Sequence, residues 1–213
     1  MKLPRSEKEI NIVKEKILGE ALGIIVDDGF ESLTMRRLAS KIGMTAPNIY
    51  NYFANKDVIY ITLVIRGFEK LLATLNEARD SHDDPVERGI AMMRSYLAFG
   101  MNNSRYYNIM FTLSTPKHND YVGTPFEELS KIEHGLSMDI ATLATQTMSD
   151  IFQNRPEITD EKVLELIVQI WCLLHGMASL HNSNVIKYLS QDSQIETIYD
   201  HIINNLFDTV VNT

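Results

Sequence analysis

Cysteine is nearly absent from this chain, because Cys172 is the only one among 213 residues. An intrachain disulfide is therefore excluded, and since Cys172 lies within an apolar run we expect it to be buried as a small hydrophobic residue. Uninterrupted apolar runs are short, and none approaches the roughly 18 residues that span a bilayer. The first ten residues are charged and lack the apolar core of a secretory signal. We therefore expect a cytoplasmic protein without a membrane partner.

The sequence also lacks the motifs of the common enzymes and metal sites. The six histidines stand at positions 82, 118, 134, 175, 181 and 201; none has an acidic residue three positions before it, and no two are four apart. This spacing excludes the ligand patterns of carboxylate-bridged bundles and of zinc proteases. Neither a Gly-x-Ser-x-Gly motif nor a phosphate-binding loop nor a dinucleotide fingerprint is present. The sequence thus predicts a protein that is not an enzyme and holds no metal or cofactor.

Positive charge is scarce overall and is concentrated at one end. Residues 1–56 carry 9 Lys and Arg against 7 Asp and Glu, a net charge of +2, whereas residues 57–213 carry 11 against 21, a net charge of −10. The overall charge of −8 argues against a protein that coats nucleic acid without selectivity. An acidic body that phosphate repels would instead help to orient a cationic N-terminal module on DNA.

Two short helical patterns joined by a glycine turn lie between Leu33 and Lys56. The apolar residues of 35–42 follow the i, i+3, i+4, i+7 rhythm of one helical face, with Thr34 as the predicted N-cap. Gly43 is suited to the left-handed conformation that ends such a helix. Thr45 is the predicted N-cap of the second helix, whose inward residues are Ile49 and Phe53. The spacing is that of a helix-turn-helix, and Ala46, Pro47, Asn48, Tyr50 and Asn51 are predicted to face outward.

This segment resembles the N-terminal DNA-binding domain of the tetracycline-repressor (TetR) family over roughly residues 8–60. The resemblance is carried, in chain order, by Thr34, Arg36, Leu38-Ala39, Gly43, Thr45, Ile49-Tyr50, Tyr52-Phe53 and Lys56. The stretch from Tyr50 to Lys56 is its most specific part. Tyr52 departs from the family pattern, in which many members carry histidine, but both side chains can donate a hydrogen bond to phosphate. The resemblance implies an all-α fold with a three-helix DNA-binding domain followed by a helical ligand-binding and dimerisation domain.

The resemblance also implies which residues contact DNA. Thr34 and Thr45, each at a helix start, would expose backbone amides to phosphate, and Arg36 belongs to the same matched set. Tyr50 and Tyr52 would donate hydroxyl hydrogen bonds to phosphate oxygens, with Lys56 adding a positive charge. Sequence would be read by the second short helix. There Asn48 and Asn51 can pair with an adenine edge and Ala46 can pack on a thymine methyl, each good pair contributing about 1–3 kcal/mol of discrimination.

Helical periodicity continues through the rest of the chain. A DNA-binding domain of residues 1–56 and a helical effector-binding and dimerisation domain of residues 57–213 are predicted, connected by one long helix from Asp57 to Arg79. Further helices are predicted at 86–102, 105–114, 126–154, about 161–181 and 194–211. Residues 115–125, with two prolines and a glycine, are the longest predicted loop.

The last two predicted helices carry apolar residues around much of their circumference. The helix at 194–211 has Ile195, Ile198, Ile202, Leu206 and Val210 on one stripe and Tyr199, Ile203 and Phe207 beside it. Such a helix usually has a second surface to bury, so we expect a homodimer through 161–181 and 194–211. The run Trp171 to Gly176 also resembles the tryptophan-x-x-x-histidine-glycine signature in the C-terminal domain of one branch of the TetR family.

A soft, aromatic patch in the middle helices is the predicted effector site. Methionine adapts its shape and aromatic rings offer flat apolar walls, so a hydrophobic or aromatic small molecule is the expected ligand. The residues assigned to this site are Met92, Tyr96, Phe99, Tyr106, Tyr107, Met110, Phe111, Trp171 and His175. The same residues at helical spacing also fit an ordinary core.

Together these features predict a dimeric transcriptional repressor that binds a palindromic double-stranded DNA operator and is released by a small ligand. The alternative is a helical DNA-binding adaptor or structural protein that has no small-molecule effector. Ligand-dependent DNA affinity distinguishes the two.

Overall fold

The computed structural model describes residues 6–188 and 192–211, without the side chains of residues 192, 193, 210 and 211. This part of the chain contains no β-strand, so the predicted all-α fold is confirmed for it. Its ten α-helices are α1 (Glu7–Asp28), α2 (Met35–Ile42), α3 (Ala46–Ile49), α4 (Lys56–Asp80), α5 (Pro85–Asn102), α6 (Ser104–Tyr107), α7 (His118–Tyr121), α8 (Glu127–Ile151), α9 (Asp160–Asn182) and α10 (Asp192–Val211).

The helices form two compact units. The first contains the chain up to Phe68 together with Arg105–Gly135, and the second contains Glu69–Ser104 and the chain from Leu136 onward. Helices α4 and α8 each contribute to both. The predicted boundary after residue 56 separates the DNA-binding segment from the rest of the chain and differs from the division into compact units. It stays a prediction.

Capping residues define the helices of the first unit at the predicted positions. Thr34 Oγ1 accepts a hydrogen bond from the N–H of Arg37 at the start of α2, and Gly43 ends that helix with a φ of 71°. Gly29, with a φ of 85°, follows α1. Ile49, the inward residue of α3, is fully buried, and Phe53 is buried below it. These local signals place α2 and α3 in the helix-turn-helix arrangement that the sequence predicts.

The segment after α5 differs from the predicted single helix at 105–114. After the one turn of α6, residues Asn108–Thr112 form a π-helix, in which the N–H of Leu113 donates to the carbonyl of Asn108, five residues back. Gly67 allows this segment close to α4, since a Cβ there would lie 2.5 Å from Met110 Sδ. The predicted loop at 115–125 also contains a helical turn, α7.

The second unit is built on the packing of α9 and α10 against α5. Asp84 caps α5 by accepting from the N–H groups of Val86 and Glu87, and Thr159 caps α9. Gly89 of α5 lies against the Phe207 ring of α10. The buried residues of α10 are Ile195, Tyr199, Ile203 and Phe207, whereas Ile198, Ile202 and Leu206 are partly or mainly exposed; the side chain of Val210 lies outside the described residues.

Helix α9 has a second apolar face that residues 6–188 and 192–211 leave uncovered. Leu164, Val168 and Trp171 are each about half exposed, and the exposed Cys172 lies on the same side. The expectation that Cys172 is buried is therefore wrong, because the α5-facing side of α9 is filled by other residues. Within the described part of the chain, α9 is also the one helix that could cross a membrane by length and composition. One such helix does not indicate a membrane protein, since a helix that packs on both faces within a protein assembly has the same composition.

Candidate nucleic-acid interface

Burial of Ile49 and Phe53 fixes which side of α3 faces solvent. Tyr50 is 53% exposed, and Pro47 and Asn51 are also exposed, whereas Ala46 and Asn48 are half-buried. The predicted DNA-reading residues therefore share one accessible surface. Asn48 and Asn51 lie close together on it, with Asn51 Nδ2 3.5 Å from Asn48 Oδ1. Their remaining amide donors and acceptors can reach a base edge.

The recognition helix itself is only one turn long. Helix α3 ends at Ile49, and the chain continues through residues 50–52 with the N–H of Tyr52 donating to the Ile49 carbonyl. Thr45 occupies the N-cap position, but its hydroxyl makes no capping hydrogen bond, in contrast to Thr34. The exposed Thr45 hydroxyl is thus available to an external acceptor such as a phosphate oxygen.

The N-terminus of α2 offers a second group of phosphate donors. Its first backbone N–H groups have no partner within the helix and lie at the positive end of the helix dipole. Arg36 is exposed beside them and makes no hydrogen bond or ion pair with the described residues, whereas Arg37 is paired with Asp28. Of these two arginines, Arg36 is the one whose charge is available to DNA.

Lys56 is engaged within the chain, which the sequence reasoning missed. Its Nζ lies 2.9 Å from Glu31 Oε2 and 4.3 Å from the centroid of the Phe30 ring. Glu31 is almost fully exposed, so a phosphate oxygen can replace it as the partner of Lys56 at little cost in burial. Tyr52 is half-buried beside this part of the chain.

Two further contacts join α1 to other segments of the first unit that are distant in sequence. Lys16 Nζ of α1 donates to the Ile42 carbonyl at the C-terminus of α2, at 3.0 Å. Glu15 and Arg66 form a two-pronged ion pair between α1 and α4, with N to O distances of 2.6 and 2.7 Å. These partners are 26 and 51 residues apart, so no local motif indicates them.

The predicted effector residues are divided between the two units. Met92, Tyr96 and Phe99 are buried in the second unit, where Trp171 Nε1 donates to the Tyr96 hydroxyl at 2.9 Å and the Trp171 ring meets His175 edge-on. Partial burial lowers the pKa of His175. The other four, Tyr106, Tyr107, Met110 and Phe111, belong to the first unit, where the Phe111 ring contacts Phe68 and Tyr107.

Comparison with known protein families gives two matches that cover most of the chain. The profile of bacterial regulatory proteins of the tetR family matches residues 17–63, which include the whole helix-turn-helix. The profile of the tetracyclin repressor-like C-terminal domain matches residues 90–206, more than half of the chain. The chain belongs to the TetR family. This assignment confirms the resemblance of the DNA-binding segment, and the families and relatives of this TetR-family protein are transcriptional regulators, not enzymes.

Individual relatives are distant. The HTH-type transcriptional activator FasR of Mycolicibacterium smegmatis is 26% identical over 124 residues, which is 58% of this chain and 52% of FasR, so the match spans about half of FasR's length. A tetR-family regulatory protein from Rhodococcus RHA1 is 12% identical and superposes over 97% of this chain and 98% of that one, with a TM-score of 0.73. AibR, crystallised with isovaleryl coenzyme A and operator DNA, is 20% identical over 91% and 97% of the two chains, with a TM-score of 0.64. The two structures support the fold.

Proposed function

We propose that this TetR-family protein binds a palindromic DNA operator as a homodimer in the cytoplasm and represses transcription until a small hydrophobic ligand releases it. The observation that carries the proposal is the accessible surface formed by Arg36, Thr45, Asn48, Tyr50 and Asn51 on a buried helix-turn-helix core. The surface combines donors suited to phosphate with amide side chains suited to base edges, and specific DNA binding needs both. Repression, rather than activation, is proposed from the repressor-like description of the matched C-terminal family. The relative FasR, by contrast, is named an activator.

Dimerisation is supported by the uncovered apolar face of α9. Leu164 and Val168 are 59% and 47% exposed, and Trp171 continues the same stripe one turn further on. On α10, Ile198 is exposed in the same way. Residues 161–181 and 194–211 of two copies would bury these side chains in a four-helix bundle about a twofold axis. Two recognition helices related by that axis read half-sites about one helical turn, 34–36 Å, or more apart.

The proposed ligand response uses α4 as the connecting element. Helix α4 begins at Lys56, beside the DNA-reading segment, and its other end belongs to the second unit. A ligand that binds better to the released form shifts α4 and changes the separation of the two recognition helices. A coupling of about 1–3 kcal/mol gives a 5- to 150-fold change in DNA affinity. The structure of AibR with isovaleryl coenzyme A and operator DNA shows that a protein of this fold can bind both a small molecule and DNA.

The single tryptophan gives a direct test of ligand binding. If the effector enters beside Tyr96 and Trp171, we expect hydrophobic or aromatic ligands to change the emission of Trp171, because they alter the surroundings of an indole whose N–H donates to the Tyr96 hydroxyl. The measurement is a fluorescence titration at constant protein concentration. Tyr96→Phe, which removes only that hydroxyl, serves as the matched variant and is expected to reduce the change. If none of the ligands tested changes both the Trp171 emission and the DNA affinity, the protein is better described as a DNA-binding adaptor that has no small-molecule effector.

Substitutions in the interface should separate DNA affinity from sequence preference. Tyr50→Phe and Lys56→Gln each remove one phosphate contact, so we expect weaker binding to every duplex. Because only Lys56→Gln removes a positive charge, it should also make the slope of log K against log salt shallower by about 0.9, whereas Tyr50→Phe should leave that slope unchanged. Asn48→Ala and Asn51→Ala remove base contacts, and we expect each to lower discrimination by about 1–3 kcal/mol while non-specific binding persists. Fluorescence anisotropy with matched and mismatched duplexes over a salt series measures both quantities.

Glu31→Gln is the matched control for Lys56. It frees Lys56 from its partner without removing the ammonium group, and it removes an acidic side chain from the interface. We therefore expect Glu31→Gln to strengthen binding to all sequences, the opposite of Lys56→Gln. If all five substitutions left affinity and preference unchanged, the proposed docking surface would be wrong.

A further inference from the structure

A buried carboxylate in the first unit has no hydrogen-bond partner for one of its oxygens. Glu133 of α8 is only 8% exposed, and its Oε2 is buried without a donor in the described part of the chain. Leaving such a group ionised is costly, because burial removes the water that solvates the charge. Burial accordingly raises the pKa of Glu133 to about 7, against the opposing influence of the Lys117 ammonium.

The groups that surround Glu133 come from three parts of the first unit. Glu133 acts electrostatically on Tyr60 of α4, on Lys117 and on Tyr121 of α7. The other charged or titratable groups of this cluster are Asp57 and Asp120, which act on the two tyrosines, and His118, which stacks on His134 next to Glu133. Lys117 is the cation whose charge opposes the raised pKa of Glu133, but its ammonium donates elsewhere, to the Met110 carbonyl and to Thr115 Oγ1, each at 3.2 Å. Burial lowers the pKa of Lys117, while Glu133 and Asp120 raise it.

Residues 115–121 hold the first turns of α4 at two points. The Tyr60 hydroxyl lies 2.9 Å from both Thr115 Oγ1 and the Pro116 carbonyl, and the Tyr121 hydroxyl donates to Asp57 Oδ1 at 3.2 Å. Tyr60 is 1% exposed, so this contact is shielded from water.

The same turns of α4 are connected to the DNA-binding surface. The Tyr60 ring packs edge-on against Phe30, with 5.0 Å between the ring centroids, and the Lys56 ammonium lies over the same Phe30 ring, 4.3 Å from its centroid. Lys56 is four residues before Tyr60 on α4. A rearrangement at Thr115 therefore reaches Lys56, a proposed phosphate-binding residue, through three successive contacts: Thr115 with Tyr60, Tyr60 with Phe30, and Phe30 with Lys56.

We propose that protonation of Glu133 is linked to DNA binding. When the Glu133 side chain is neutral, Lys117 stays hydrogen-bonded to Met110 and Thr115, and the contacts of residues 115–121 keep α4 in place. When Glu133 is ionised, it draws Lys117 toward itself and weakens those contacts. This inference rests on the proposed function. Movement of Lys117 removes a donor from Thr115, and Thr115 is one of the two groups that position the Tyr60 hydroxyl. DNA affinity then falls as Glu133 ionises.

The direction of the pH effect follows from the raised pKa. The arrangement in which Lys117 stays on Met110 and Thr115 favours the protonated carboxyl of Glu133. Its stability relative to the loosened arrangement is therefore fully present at pH values below 4.5, the ordinary pKa, and is lost as the pH rises through the raised pKa of about 7. If the loosened arrangement restores the ordinary value, linkage of a single proton shifts the balance between the two arrangements by up to about tenfold between pH 6 and pH 8. We therefore expect DNA affinity to weaken by up to about tenfold over this range through Glu133.

The test compares the full-length wild type with Glu133→Gln and with the control Glu128→Gln. Glutamine keeps the shape of a protonated carboxyl, whereas Glu128 is an exposed residue of the same helix that pairs with Lys131. Anisotropy with one labelled duplex, recovered by selection from random DNA, gives the dissociation constant from pH 6 to pH 8.5 at constant ionic strength. All three proteins contain the same histidines, so any effect of histidine on the pH dependence of DNA binding is shared. The inference is tested by the differences between the three pH profiles.

We expect wild type and Glu128→Gln to lose affinity together with rising pH, and Glu133→Gln to retain affinity at pH 8. Parallel profiles for all three proteins would overturn the inference and leave DNA binding intact, whereas absence of DNA binding at every pH would overturn the proposed function itself. Calorimetry of the wild type in two buffers of different ionisation enthalpy adds a test that needs no variant. Proton uptake on DNA binding at pH 7 is expected, and zero uptake or proton release would contradict the link.

Discussion

Replacing Leu164 and Val168 together with glutamate is expected to convert the dimer into monomers and to weaken operator binding by about 100-fold or more. Both side chains are about half exposed on α9, so glutamate costs little within one subunit, but a twofold interface would bring four carboxylates together on a desolvated surface. A monomer retains one recognition helix and loses the gain of about 10²–10⁴ that linking two binding sites provides. Light scattering measures the mass and anisotropy measures the DNA affinity.

Met138→Glu is the control for this change. Met138 lies on α8, is 51% exposed and belongs to the same compact unit, but it is outside the proposed interface. We expect Met138→Glu to stay dimeric and to bind DNA as the wild type does. A double variant at Leu164 and Val168 that still has twice the subunit mass of 24.3 kDa would refute the proposed interface.

Substitution of Gly89 by alanine should produce the largest loss of stability among the single changes considered. A Cβ at this position would lie 2.7 Å from two atoms of the Phe207 ring and 3.3 Å from Ile151. Phe207 is buried and closely packed, so either its side chain must leave its position or α5 and α10 must move apart. Overpacking of this kind costs about 2–3 kcal/mol, which lowers Tm by about 5–10 °C for a chain of this size. Thermal unfolding followed by circular dichroism measures the change.

Gly135→Ala provides the comparison, because it also places alanine in the interior of a helix. Gly135 of α8 is exposed and has no atom within 4 Å of the position a Cβ would take. We expect alanine there to stabilise the protein by up to about 1 kcal/mol through the reduced conformational freedom of the unfolded chain. Equal Tm values for the two variants would show that contact with Phe207 does not restrict Gly89.

The helix-turn-helix could be predicted from sequence because its determinants are local. Thr34 caps a helix through a hydrogen bond to a residue three positions away, and Gly43 ends it through its own backbone conformation. The alternation that buries Ile49 and exposes Tyr50 is likewise a property of a few consecutive residues. The one local expectation that differs is Thr45, whose position was predicted but whose hydroxyl does not cap α3.

Features that depend on distant segments could not be read in the same way. The pairing of Lys56 with Glu31 joins residues 25 apart, and the surroundings of Glu133 combine three segments of the chain. The exposure of Cys172 could not be predicted from its apolar neighbours, because an apolar run does not reveal how many sides of its helix are covered within one chain. The π-helix after α6 packs closely against Gly67, a contact that only the folded chain reveals.

Selection of bound sequences from a random DNA pool tests the central claim most directly. If the surface around Asn48 and Tyr50 reads DNA as part of a twofold dimer, the recovered sequences will contain an inverted repeat whose half-sites are centred about one helical turn, 34–36 Å, or more apart. Asn48→Ala should blur the same position in both half-sites. Recovery of a single asymmetric motif, or of no enriched sequence at all, would contradict the account.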